Sequence, residues 1–468
     1  MGNPITPASS SKPLFFIFQS KLLCFSLLYL FASLYFTFSQ SKQCFFTSSS
    51  PSNDPILSSL YSYPSSYGEH KYAIPTTRST CSSPIKFSDY WDVLKVIENY
   101  GKNSPSSSCV LRYMQGNTDS FGGNFSTYKR FSYFDHQSDN TEIPCGFLKD
   151  FPVSDSDQIA MEKCDGVVVV SAIFNDHDKI RQPRGLGSKT MDYVCFFMFV
   201  DDVTLKGLKH HGLLNSTQSS EYKVGVWRIV KVSSRNLYQN PAMNGVIPKF
   251  LVHRLFPNST FSIWIDAKLQ LTVDPLLLIH SLVINENADM AISKHPYYTH
   301  TIEEAMATAR WKKWRDVNAL KMQMETYCEN GLQPWSPSKL PYASDVPDSA
   351  LILRKHGMAS NLFSCLMFNE LEAFNPRDQL AFAFVRDTMR PKMRVNMFEV
   401  EVFEQVTIEF RHNLKHLEAA KTATKMPSTK GSHRAESDTL FENGTSGGGC
   451  SNYLITMWGE SPRLIPKS

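Results

Sequence analysis

An α/β fold on a mostly parallel sheet is predicted by three features of the sequence. Runs 166–174 and 193–200 are continuously apolar at strand length, the pattern of strands covered on both faces. Helix-forming stretches alternate with such runs, which gives helices layered on a sheet. Acids close the runs, at Asp176 and Asp178, at Asp201 and Asp202, and at Asp266. The carboxyl ends of parallel strands are where such sheets bind ligands.

The elements follow in order. Residues 223–232 alternate and predict a third strand, a helical stretch covers 249–256, and 261–266 is a fourth strand. Asp274 and Pro275 open a helix through Ile284, as N-cap and first-turn proline. Residues 290–293 form a fifth strand, and 303–324 reads as one long helix. At 347–354 an acid in a loop leads into a further strand, and a helix opens at Asp378.

Outside this unit the texture changes. Residues 22–38 carry no charge, and with 14–18 they make a span of about 25 residues, enough for a bilayer. Lys12 and Lys21 precede any acid, which places a cytosolic tail at 1–13 and makes 14–38 a type II signal-anchor. A cleaved signal peptide is the alternative; the length of the run and the poor site Ser39-Gln40-Ser41 count against it. Residues 39–158 read as a Ser/Pro-rich luminal stem and an irregular subdomain, 159–416 as the catalytic domain, and 417–468 as a low-complexity luminal tail.

Composition sets the outer limits. The chain has 468 residues, 48 Lys+Arg against 44 Asp+Glu for a net +4, and 42% hydrophobic residues. This excludes a strongly basic nucleic-acid binder and wholesale disorder, and a single segment apolar enough to span excludes a polytopic membrane protein. Four sequons, at Asn124, Asn215, Asn258 and Asn443, fit luminal glycosylation. Cys24 lies in the span and nine further cysteines face a lumen that permits disulfides, with at least one left over. Cys195, inside an apolar run, reads as a core thiol.

The chemistry centres on Asp266, which ends a strand in Trp264-Ile265-Asp266-Ala267-Lys268. A carboxylate there can ligate a divalent cation, Mn, Mg or Ca, or simply cap a turn. Lys268 stands where a second acid would complete an acid–x–acid pair, and a lysine can offset phosphate charge itself. Lys249, Arg354, Arg377 and Gln379 are further candidate contacts for substrate or phosphate. His295 joins them, with a structural role as the alternative. Asp348 and Asp378 are candidate catalytic carboxylates beside Asp202; Asp378 could instead satisfy a helix dipole. No G-x-S-x-G elbow, H-E-x-x-H helix or P-loop occurs.

Blocks 164–169, 195–202, 264–271, 295–296, 347–354 and 377–380, in this order, resemble a plant glycosyltransferase-like family. The family holds the turgor regulation defect protein, an alkaline ceramidase, and related probable hexosyltransferases, all of the Golgi. The resemblance implies a GT-A-like fold and a Golgi membrane location, with the endoplasmic reticulum as the alternative. The short cytosolic end and modest stem resemble the ceramidase branch more closely. That branch implies hydrolysis of ceramide to sphingosine and fatty acid, with Asp348 or Asp378 as general base. The other implies transfer from a nucleotide sugar to a cell-wall glycan acceptor. A non-catalytic luminal scaffold is the third reading, motivated by Lys268.

Overall fold

The computed structural model describes residues 25–33, 45–47, 61–64, 66–67, 74, 84–102, 111–116, 121–123, 125–136, 142–148, 151–214, 221–233, 238–412, Cys450 and Leu454. Most of the expected span, nearly half of the expected stem and subdomain, nearly all of the expected tail, the sequons Asn124, Asn215 and Asn443, and Cys44, Cys81 and Cys109 lie outside the described residues. Of the expected span, 25–33 is a helix with Phe25, Leu28, Tyr29 and Phe31 exposed. Among the described residues no helix is long and apolar enough to cross a membrane.

The core is an eight-stranded sheet. Its strands are β1 (Val167–Ile173), β2 (Val194–Val200), β3 (Tyr222–Val224), β4 (Trp227–Lys231), β5 (Phe261–Ile265), β6 (Met290–Lys294), β7 (Pro347–Lys355) and β8 (Val395–Phe398). They lie in the order β8-β6-β7-β5-β1-β2-β4-β3. All run parallel except β7, which is antiparallel to β5 and β6, and β3, which is antiparallel to β4. Both faces are covered, as the uninterrupted runs require. Val168 and Val170 face one apolar cluster, Val167 and Val169 the other.

Helices fill the two outer layers. On one side lie α3 (Pro241–Phe250), α8 (Met358–Ala373) and α9 (Asp378–Thr388), through Ile247, Phe250, Phe363 and Phe384. On the other lie α1 (Tyr90–Lys102), α2 (Asp202–His210) and α5 (Pro275–Ile279), through Val93, Leu205 and Leu276. Asp274 caps α5 as expected, its Oδ1 accepting from the Leu276 amide at 2.8 Å, and a π-helical turn continues to Ile284. Four-residue α4 (Val252–Leu255) follows α3.

Three expectations are corrected. The third strand is a hairpin, because Gly225 at φ +60° turns the chain between β3 and β4. The long helix over 303–324 is two, α6 (Thr301–Arg310) and α7 (Val317–Glu329). Lys312 at φ +53° breaks the first, and the Asp316 carboxylate caps the second by accepting from the Ala319 amide at 2.9 Å. Cys195 is no free thiol: it pairs with Cys164, and Cys145–Cys365 and Cys328–Cys450 are also disulfides.

Asn258, the one described sequon residue, is exposed, and its Nδ2 donates to the Glu162 carbonyl at 2.7 Å.

Candidate active site

The reversed direction of β7 builds the site. Its start lies beside the carboxyl ends of β5 and β6, so Asp348 and Ser349 join Asp266 at one edge of the sheet. Pairing between β6 and β7 jumps from Ile292–Ile352 to Ser293–Asp348, so residues 349–351 bulge from that ladder. Bulges of this kind re-aim side chains next to active sites. Here Ser349 reaches Asp378, whose Oδ1 accepts from the Ser349 hydroxyl at 2.8 Å.

Lys249 arrives from the last turn of α3, which Asn240 caps through the Ala242 amide and Pro241 opens. Its Nζ donates to Ser349 Oγ at 3.2 Å and lies 2.6 Å from Asp378 Oδ2 and 3.7 Å from Asp266 Oδ1. Asp266 Oδ1 also accepts from the Trp264 indole at 2.8 Å. Lys268 Nζ pairs with Glu409 at 2.8 Å. Residues 269–271 and 407–409 form a small antiparallel ribbon that holds Glu409 there.

Burial pushes the Lys249 ammonium down, but Asp266 and Asp378 outweigh it and hold the group above its ordinary range. Burial pushes the Asp378 carboxyl up; the Lys249 charge, with hydrogen bonds from Lys249 and Ser349, overrides it and holds the carboxyl low. Asp348 goes the other way. Burial raises it, Asp266 and Glu409 add to the rise, and Lys268 and the Ala350 amide oppose it. One carboxyl of the group is thus a locked anion and the other a proton acceptor tuned upward.

Asp266, Asp348, Asp378, Lys249 and Lys268 therefore meet. Of the remaining candidates, Arg354 and Arg377 are coupled to the group through the Asp378 charge. Asp202 pairs with Lys231 at 2.8 Å in the first turn of α2, beyond β1. Arg354 is at the opposite end of β7, fully buried, its guanidinium over the Phe250 ring at 5.4 Å and, among the described residues, without a hydrogen bond. Burial brings it down to about 9. Arg377 is held by Glu304 at 2.6 Å. Gln379 is half-buried, with Oε1 unsatisfied. His295 Nδ1 accepts from the amides of Tyr297 and Tyr298, the role of a turn residue.

Ser349 and Glu409 were missed by sequence reasoning. Ser349 follows Asp348 directly, and that adjacency was the available signal; nothing local marks Glu409. Four carboxylates (Asp266, Asp348, Asp378, Glu409) meet two lysines, and the Arg354 and Arg377 charges also act on Asp378. A cation on Asp266 is opposed by the Lys249 ammonium, which already stands 3.7 Å from its carboxylate. Among the described residues, the one group of three metal-ligating side chains that converges is Cys145, His253 and Cys365. It lies elsewhere, and its two sulfurs are bonded to each other.

The model of the family described as "TOD1/MUCI70, glycosyltransferase-like domain" matches residues 108–412. The chain is 61% identical over 471 residues to the Arabidopsis thaliana protein named alkaline ceramidase TOD1, spanning 98% of this chain and all of that one. It is 38% identical over 320 residues to the Arabidopsis thaliana probable hexosyltransferase MUCI70, spanning 63% of this chain and 54% of that one. Among solved structures, the apo WbbM bifunctional glycosyltransferase overlaps with a TM-score of 0.27 at 12% identity, over 55% of this chain and 41% of that one. With a match over most of its length, the chain belongs to the TOD1/MUCI70 glycosyltransferase-like family.

Proposed function

We propose that this chain is a ceramidase, hydrolysing the amide of ceramide to sphingosine and a free fatty acid. The observation that carries the reading is the placement of Asp348 at the carboxyl ends of β5 and β6 beside Asp266 and Glu409, where its carboxyl is raised. Asp348 takes a proton from the water that attacks the amide carbon. The Lys249 ammonium, kept charged by Asp266 and Asp378, offsets the developing oxyanion. Asp348 then returns the proton to the leaving nitrogen. The amine product becomes an ammonium ion, which the neighbouring carboxylates favour. The name of the 61% identical relative supports the same reaction.

The setting belongs to the same proposal: a type II Golgi membrane protein anchored through 14–38, with a stem over 39–158, a luminal catalytic domain over 159–416 and a tail over 417–468. The exposed apolar side chains of 25–33 support an anchor, and three disulfides support an oxidising lumen.

The full-length chain in detergent should release sphingosine from ceramide at alkaline pH, and Asp348→Asn should lower the rate about 10²- to 10⁴-fold. EDTA should leave turnover within about twofold, because no cation takes part in these steps. Ceramide left intact overturns the reading, and full activity in Asp348→Asn overturns the role of that residue.

A hexosyltransferase is the second reading, favoured by the 38% identical relative and the family description. A nucleotide diphosphate entering this carboxylate-rich group needs added positive charge, so the reading requires a divalent cation. A thermal shift by nucleotide sugars that depends on Mn²⁺, without ceramide turnover, would establish it. No response in either assay would leave the luminal scaffold.

A further inference from the structure

The turn between α6 and α7 carries Arg310, Trp311, Lys312, Lys313, Trp314, Arg315 and Asp316 in succession. Arg310, Lys312 and Arg315 are exposed and make no ion pair among the described residues, and Trp311 is 68% exposed. Asp316 is spent on capping α7, and Lys313 leans on Glu304 at 3.6 Å. Trp314 packs inward against the core, so the turn is held from beneath while Trp311 faces out.

This turn stands on the rim of the active site. The Glu304 carboxylate that meets Lys313 also meets Arg377 at 2.6 Å, and Arg377 immediately precedes Asp378. His295 Nε2 lies 3.9 Å from Glu304, and beside His295 the Tyr297 ring is 78% exposed. Aromatic rings and cations without an ion pair among the described residues thus share one surface on the rim of the site.

We propose that this turn, with Tyr297, is a membrane-docking surface that seats the site's rim on an anionic bilayer. Indole and phenol rings settle at headgroup depth, and Lys and Arg there meet lipid phosphates. An acidic glycan would also attract these cations. The bilayer is favoured because two largely exposed rings, Trp311 and Tyr297, share this surface with the cations, the pairing that settles at headgroup depth. The inference stands apart from the choice of reaction.

The test uses the full chain reconstituted into vesicles of phosphatidylcholine with one-fifth phosphatidylserine, part of the phosphatidylcholine brominated near the headgroup. No tryptophan lies between residues 14 and 38, so insertion of the expected anchor cannot itself quench. Tryptophan emission should be quenched, and Trp311→Phe should remove most of that quenching. Lys312→Gln with Arg315→Gln should lower the docked fraction roughly fivefold for each cation, and only when phosphatidylserine is present. The thermal midpoint should not move, which separates docking from folding. Absence of quenching, or quenching unchanged in Trp311→Phe, overturns the proposal. Binding of polygalacturonate through Lys312 and Arg315, without bromolipid quenching, overturns it in favour of a glycan.

Discussion

Lys249 Nζ stands 2.6 Å from Asp378 Oδ2 and 3.7 Å from Asp266 Oδ1, so one buried ammonium joins an acid that opens a helix to an acid that ends a strand. The Ser349 hydroxyl closes the same contact by donating to Asp378 and accepting from Lys249. The group is satisfied as a unit, and each member depends on the others.

Removing one partner of this pair should therefore destabilise strongly. Lys249→Met leaves the Asp378 carboxylate buried without its counter-charge and should cost about 3–5 kcal/mol in urea unfolding. Lys249→Met with Asp378→Leu should recover much of that stability while ceramide turnover stays lost. A single variant as stable as the parent would refute the coupling.

The two carboxyls should give opposite pH signatures. Asp348 has a raised folded pKa. Below the ordinary carboxylate range, about pH 4, both folded and unfolded chains hold its proton, so it contributes no slope. As pH rises past that range the unfolded chain releases the proton first, and stability falls until the folded carboxyl also ionises. Asp348→Asn should gain on the parent over this interval. Asp378 is lowered, so its contribution is present above the ordinary range and fades as pH falls through the depressed value. Denaturant midpoints at several pH values, with Asp348→Asn and Asp378→Asn beside the parent, would separate the two.

Cys145 and Cys365 join a loop before the sheet to α8 across 220 residues. Cys365→Ser should lower stability by about 2–5 kcal/mol. A non-reducing peptide map should show 145–365, 164–195 and 328–450 as linked pairs. A Cys195 that alkylates without reduction would contradict the second.

Arg354 tests the limits of the site. Its guanidinium is buried and, among the described residues, has no hydrogen bond, so Arg354→Met should be neutral or stabilising by about 1–2 kcal/mol. Because β7 places it at the end opposite Asp348 and it acts on the site through the Asp378 charge alone, turnover should stay within about threefold. A loss of activity with an unchanged thermal midpoint would restore it as a substrate contact.

The sequence by itself determined the strands at 166–174, 193–200 and 261–266, the Asp274–Pro275 helix start, and the acids at strand ends. Each of these is written in local periodicity or capping, within a few residues. It did not reveal the breaks at Gly225 and Lys312, where single residues at positive φ redirect segments whose local pattern reads as continuous. Tertiary structure alone decided which acids meet. Insertion of β7 antiparallel between β5 and β6 carried Asp348 to Asp266, while the same strand took Arg354 away. Lys249 and Ser349 are 100 residues apart, and Lys268 and Glu409 are 141 apart. Strand order and direction follow from how two apolar faces are buried together, and no local window contains that information.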